Sequence, residues 1–313
     1  MVSWKNNKTN LKSIFILLRV GIGITLLYTL IHILGAKSIY ESIKSINLLY
    51  YPVIILGFFI FILISAFCIK VLVDAKISFS NMLKYYSLSW VFGLLLPSKL
   101  GEFSLAFFLK KENIPLARGL SISLLDKIIT FLLFFVISSF GIFLFFTPVQ
   151  SLILIAICFF IVLSFFLVLI LNYDRLLFFL PQKYTSHFKD FIKETCFFFK
   201  YHRGRLYLNL FLSITRWGIN AFILLLIFLS LGISVNFFLI YIINAIIALV
   251  SLIPITINGL GIRQSIGVFL FSKMGINSAI ALDMLLIQLI LTYSFAFLLY
   301  AYYNLKHNEG QLG

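Results

Sequence analysis

The chain has 313 residues, of which 62% are hydrophobic and 11% charged, and it carries a formal net charge of +15. Average soluble domains are roughly 25% charged, so this composition excludes a water-soluble globular fold. The basic residues lie between apolar stretches rather than on one soluble face, which argues for membrane topology and anionic lipid and against nucleic acid.

Apolar runs of about 20 residues, enough to cross about 30 Å of hydrocarbon as helix, recur from end to end. The first, 14–34, has Lys5, Lys8, Lys12 and Arg19 at its N-terminal end. It is too long for a signal peptide and is followed by no small-x-small cleavage site, so it reads as a retained helix. A second run covers 48–69, and the next stretch, 85–109, is broken at Pro97-Ser98-Lys99-Leu100-Gly101. Full runs follow at 119–146 and 151–171. Seven basic residues fill the segment 175–205. Within it Phe188, Phe191, Ile192, Thr195, Phe198 and Phe199 fall at helical spacing with Lys189, Asp190, Lys193 and Glu194 opposite, the pattern of an interfacial amphipathic helix. The run 206–231 comes next, then 237–271, broken between Pro254 and Gly261, and finally 279–303.

The expected fold is therefore an all-α polytopic membrane protein with six full transmembrane helices plus two re-entrant helical hairpins. Pro removes a backbone donor and Gly permits tight reversal, so each broken stretch reads as a helix that enters, turns and leaves by the same face. Irregular backbone survives at that depth only where protein or a polar cavity satisfies it. Eighteen of the 25 basic residues fall on one side of this topology and three on the other, which places both termini in the cytoplasm of a cell membrane. Lys99, Lys127, Arg216 and Arg263 remain at membrane depth.

On that map the hairpins open in opposite directions. Pro97, Gly101, Lys110, Ile114, Ala117 and Asp126 are faintly echoed by Pro254, Gly259, Lys273, Ile276, Ala279 and Asp283. The expected organisation is one membrane domain over 1–313, with a first repeat at 48–146, a linking span and amphipathic helix at 147–205, and an inverted second repeat at 206–303. Paired broken helices in corresponding halves mark a transporter with its site near the midplane.

Charges inside a bilayer cost at least about 2.5 kcal/mol each and so face the interior with partners. Lys99, Arg216 and Arg263 can bind a phosphate there, with Glu102, Asp126 and Asp283 as counter-charges or a protonation switch. Alternatively the same residues form ion pairs that fix the hairpins, Lys99 with Glu102 and Arg263 with Asp126 or Asp283. Pro97 and Gly101 form the first turn, Pro254, Asn258, Gly259 and Gly261 the second. Cys68, Cys158 and Cys196 are scattered without metal-ligand spacing, and no catalytic triad, zinc motif or nucleotide loop occurs, so neither a metal, a cofactor nor an enzyme activity is expected.

The run LLLPSKLGEFSLAFFLKK with the following LLDK, and the run IPITINGLGIRQS, resemble the two signature regions of the lysylphosphatidylglycerol synthase transmembrane family, a flippase-like membrane region. Leu96, Pro97, Gly101 and Glu102 match its first pattern, with Leu105 where Arg is usual. Asp126, Lys127 and Thr130 stand for a charged element in which the third charge is lost. Pro254, Asn258, Gly259, Gly261 and Arg263 match the second pattern, with Gln264 where Glu is common. The resemblance implies re-entrant hairpins and movement of phospholipids or polyprenyl-phosphate-linked glycans between leaflets, with membrane lipids as partners. A separate lipid synthase or glycosyltransferase is a further expected partner, since the chain ends soon after the last run and synthase activity is not expected of it.

Overall fold

The computed structural model describes residues 46–73, 77–153, 155–156, 182–251 and 256–309, with a few isolated positions in the first 45. Among these residues every regular element is a helix. Four are long and apolar enough to cross a membrane: α1 (Tyr51–Leu72), α4 (Leu116–Ile142), α6 (Arg203–Ser230) and α9 (Ser278–Glu309). They correspond to four of the six expected spans. The other two, 14–34 and 151–171, lie almost wholly outside the described residues.

Local chemistry sets the helix starts. Pro52 occupies the first turn of α1, where its missing N–H leaves no bond unmade. Polar side chains cap the shorter helices: Ser78 accepts from the Asn81 amide at 3.2 Å ahead of α2 (Phe79–Leu95), and Asn236 accepts from the Phe238 amide at 2.9 Å ahead of α7 (Phe237–Val250).

After α2 the chain doubles back through a 3-10 turn (Pro97–Ser104), the short α3 (Leu105–Leu109) and a second 3-10 turn (Lys110–Glu112). The Tyr85 and Phe108 rings stack with centroids 5.8 Å apart. Glu112 Oε1 accepts from Asn81 Nδ2 at 3.0 Å and from Tyr85 Oη at 2.8 Å, so the chain has returned to the level at which α2 began. Gly101 makes the reversal possible, because a Cβ there would lie 2.0 Å from the Phe92 carbonyl oxygen.

The second broken stretch runs from α7 through a 3-10 turn (Ile257–Gly259) into α8 (Ile262–Lys273), which packs back on α7. Asn258, Gly259 and Gly261 have φ of 48°, 72° and 81°, and two glycines make this left-handed run affordable. Gln264 Oε1 then accepts from the Gly261 amide at 2.8 Å, capping α8 from inside.

The two halves pack reciprocally. α1 lies along α6, with Gly57 approaching Ile223 so closely that a Cβ would sit 2.9 Å from its side chain. The first broken stretch rests on the last long helix, where Tyr293 Oη donates to the Leu94 carbonyl at 3.2 Å. The second rests on α4, with Gly141 facing Ile242. The two Pro/Gly turns meet between them. Small residues at such contacts let backbones approach where lipid removes any hydrophobic drive between helices. Outward-facing Val53, Leu56, Phe59 and Leu63 of α1 are exposed, a surface suited to acyl chains and not to water.

The expected amphipathic helix is present as α5 (Gln182–Tyr201). It lies against α4, where Ser121 Oγ donates to the Phe191 carbonyl at 3.0 Å, and its Phe198 is fully buried.

Candidate functional site

The scarce charges of the core converge where the first turn meets α4 and α6. Asp126 is fully buried about three turns into α4. Its Oδ1 faces Arg216 Nη2 of α6 at 3.4 Å and accepts from Asn209 Nδ2, also at 3.4 Å. Arg216 Nη2 further donates to Thr130 Oγ1 at 2.8 Å and to Ser213 Oγ at 3.3 Å, and Asn209 Nδ2 donates to the Cys68 carbonyl at 2.9 Å. Thr130, the position that lacks the family's third charge, therefore still contributes an acceptor.

Lys127 holds the other side of this group. Its Nζ pairs with Glu102 Oε2 of the first turn and lies 3.3 Å from Asp126 Oδ2. Glu102 reaches this position across Gly93, where a Cβ would lie 2.5 Å from the Glu102 Cγ. Tyr86, Ser89, Glu102, Ser123, Asp126 and Lys127 line a water-sized cavity among these side chains.

Lys99 and Arg263 complete the cluster from the two turns. Lys99 has a left-handed backbone, φ 56°, and its Nζ lies 5.3 Å from the Trp217 ring centroid. Glu102, Arg263, Lys127 and Arg216 all act on it electrostatically, which places all four around Lys99. Among the described residues neither Lys99 nor Arg263 has a carboxylate partner. Among the described residues Arg216 Nε and Trp217 Nε1, both near Lys99, are buried without acceptors, Asn209 Oδ1 is buried without a donor, and the Thr256 hydroxyl at the start of the second turn is likewise unbonded.

Of the residues singled out in the sequence, the structure brings together Lys99, Glu102, Asp126, Arg216 and Arg263. Asp283 is fully buried on α9, and the Tyr293 phenol acts on Arg263. Pro97 and Gly101 lie in the first turn, and Asn258, Gly259 and Gly261 in or beside the second, while Pro254 lies outside the described residues. The expected pairing of Lys99 with Glu102 is replaced by Lys127 with Glu102, and that of Arg263 with Asp126 by Arg216 with Asp126. Lys127 is the residue that sequence reasoning left out of the site. Its adjacency to Asp126 was the available signal, since a cation and an anion side by side inside an apolar helix point to partners on two neighbouring elements.

Four cations and two carboxylates occupy this region, and both carboxylates are engaged. Such a site attracts anions, because the unbonded donors and surplus positive charge are both relieved by an acceptor-rich ligand.

An all-α membrane protein with two broken segments meeting at a buried cationic cluster is the class defined by this fold and site. The chain belongs to the family described as the lysylphosphatidylglycerol synthase TM region, whose model matches residues 16–299, and it is thereby a membrane protein tied to lipid handling. No curated protein matches the chain, and no solved structure does.

Proposed function

We propose that this protein moves an anionic lipid, a phospholipid or a polyprenyl-phosphate-linked glycan, from one membrane leaflet to the other. The observation that carries this reading is the surplus of cations at the meeting point of the two turns: Lys99 and Arg263, one from each broken stretch, have no carboxylate partner among the described residues. A lipid phosphate would lie between them with its tails left in the bilayer. Reciprocal packing of the halves supports an inverted repeat, over 48–146 and 206–303, whose two units rock around that point. The polar cavity is water-sized, so the conformation described is a closed one, and the turns must separate to admit a head group.

The test is transport in proteoliposomes carrying labelled phospholipids and polyprenyl-phosphate lipids. Wild-type protein is expected to equilibrate an anionic lipid across the bilayer, and Arg263→Gln and Glu102→Gln to abolish the movement. Absence of transport across the whole panel defeats the proposal.

A second reading, a non-transporting membrane partner of a separate lipid synthase or glycosyltransferase, is favoured by one feature. Helix α5 presents exposed Phe197, Phe199 and Tyr201 beside Lys200. Substituting these residues is expected to abolish function under the second reading and to spare transport under the first.

A further inference from the structure

We propose that the head group taken up at this cluster is a phosphate monoester, a dianion near neutral pH, rather than the monoanionic phosphodiester of most membrane lipids. This rests on the lipid-handling reading above and narrows its substrate class.

The charge inventory carries the argument. Lys99, Lys127, Arg216 and Arg263 lie within one electrostatic neighbourhood with Glu102 and Asp126, a surplus of two positive charges. Asp126 is held by Arg216 and Lys127, and Glu102 by Lys127, so among the described residues neither carboxylate forms an ion pair with Lys99 or Arg263, although the Glu102 charge acts on Lys99 from further off. A monoanion therefore neutralises only half the excess and leaves one half-buried cation at membrane depth without a counter-charge, which is costly. A zwitterion leaves both. An aminoacylated head group, with its own net positive charge, is repelled by the same excess.

Hydrogen bonding points the same way. Two buried donors near Lys99, Arg216 Nε and Trp217 Nε1, have no acceptor among the described residues, against one unbonded acceptor in the cluster, Asn209 Oδ1. A phosphate monoester offers three terminal oxygens as strong acceptors and carries about −1.5 to −2 charge at pH 7, with a second pKa of about 6. A phosphodiester offers two such oxygens and a single charge. Lys99 contributes a point charge and Arg263 a planar fork, a combination suited to different oxygens of one phosphate.

The site's preference is therefore expected to depend on pH through the ligand. Above about pH 6 the monoester is dianionic and matches the surplus, and below it the second proton returns and the advantage over a diester disappears.

The experiment is competition for the purified full-length protein in detergent, read by native mass spectrometry. Phosphatidic acid, phosphatidylglycerol, phosphatidylcholine and lysylphosphatidylglycerol with matched acyl chains are supplied at equal concentration. Phosphatidic acid is expected to be retained over phosphatidylglycerol by about tenfold or more at pH 7 and by less than about threefold at pH 5. Lys99→Gln and Arg263→Gln should each reduce the pH 7 preference severalfold, whereas Lys200→Gln on the exposed face of α5 should leave it intact. Equal retention of the two lipids at pH 7, or a preference for lysylphosphatidylglycerol, overturns the proposal, as does a preference that survives the Lys99→Gln/Arg263→Gln double variant.

Should either variant fail to fold, the pH dependence of the wild-type protein decides alone. Displacement of phosphatidic acid by millimolar inorganic phosphate would uphold the dianion rule and overturn the lipid source. Retention of phosphatidic acid without its movement in proteoliposomes overturns transport and leaves this inference standing, and movement of phosphatidylglycerol without monoester preference does the reverse.

Discussion

Asp126 of α4 and Arg216 of α6 face each other at 3.4 Å with side chains 0% and 3% exposed, joining the helix that follows the first turn to the helix that opens the second half. Removing one partner of a buried pair strands the other, at a cost of about 3–5 kcal/mol. Asp126→Ala and Arg216→Ala should each lower the thermal unfolding midpoint in detergent, and the double variant should lose clearly less than the sum of the two. Strict additivity in that cycle would show that the two side chains act independently.

Gly101 is expected to be intolerant of any side chain. The atoms a Cβ would meet, the Phe92 carbonyl oxygen at 2.0 Å and the Gly93 amide nitrogen at 2.6 Å, belong to backbone and cannot turn aside. Gly101→Ala should therefore destabilise the protein by more than about 3 kcal/mol, the range of severe core overpacking, or prevent its accumulation. Gly218→Ala is the control: no atom lies within 4 Å of a Cβ there, and in mid-helix Ala is favoured by about 0.5–1 kcal/mol. Equal behaviour of the two variants in fluorescence-detected size exclusion would contradict the tight turn.

The long helices were legible because a span of apolar residues has one low-energy form in lipid, and the turn positions because Pro and Gly interrupt such spans. Periodicity also exposed α5, where Phe198 of the expected apolar face is buried while Phe199 of the same face is exposed. Partnership of charges was not legible. Lys99 and Glu102, three residues apart in sequence, suggested a local pair, but the left-handed turn at Lys99 sends the two side chains to different neighbours, Trp217 and Lys127. Arg216, expected at membrane depth as a phosphate ligand, is instead engaged by Asp126 and Thr130 of α4, a long-range pairing that spacing along α6 does not encode. Sequence spacing fixes which residues share a helix face, and long-range assembly decides which faces meet.

Both ends of the first broken stretch should be reachable from one side of the membrane. Glu112 accepts from Asn81 and Tyr85, so residues 81 and 112 sit at the same level, as a hairpin that enters and leaves by one face requires. After Cys68, Cys158 and Cys196 are replaced by Ser, single cysteines at 81 and 112 should react with an impermeant thiol reagent from the same side. Cysteines at 236 and 275, flanking the second stretch, should react from the opposite side. Labelling of 81 and 112 from different sides would show instead that the stretch crosses the membrane.

Lys99 should separate stability from activity. Its φ of 56° places a long side chain in the left-handed region, which costs an ordinary residue about 1–2 kcal/mol and Asn much less. Strain of this kind persists where the surroundings over-determine it, and it concentrates at ligand sites. Lys99→Gln keeps the strained backbone and removes the charge, whereas Lys99→Asn removes the charge and suits the backbone. Lys99→Asn should therefore exceed Lys99→Gln in stability by about 0.5–1 kcal/mol, read as a higher unfolding midpoint in detergent. Both should lose lipid transport, since each removes the ammonium beside Trp217 and Arg263. Equal midpoints would mean that the left-handed turn stores no strain at this residue, and full transport by either variant would remove Lys99 from the ligand site while leaving Arg263 as its remaining unpaired cation.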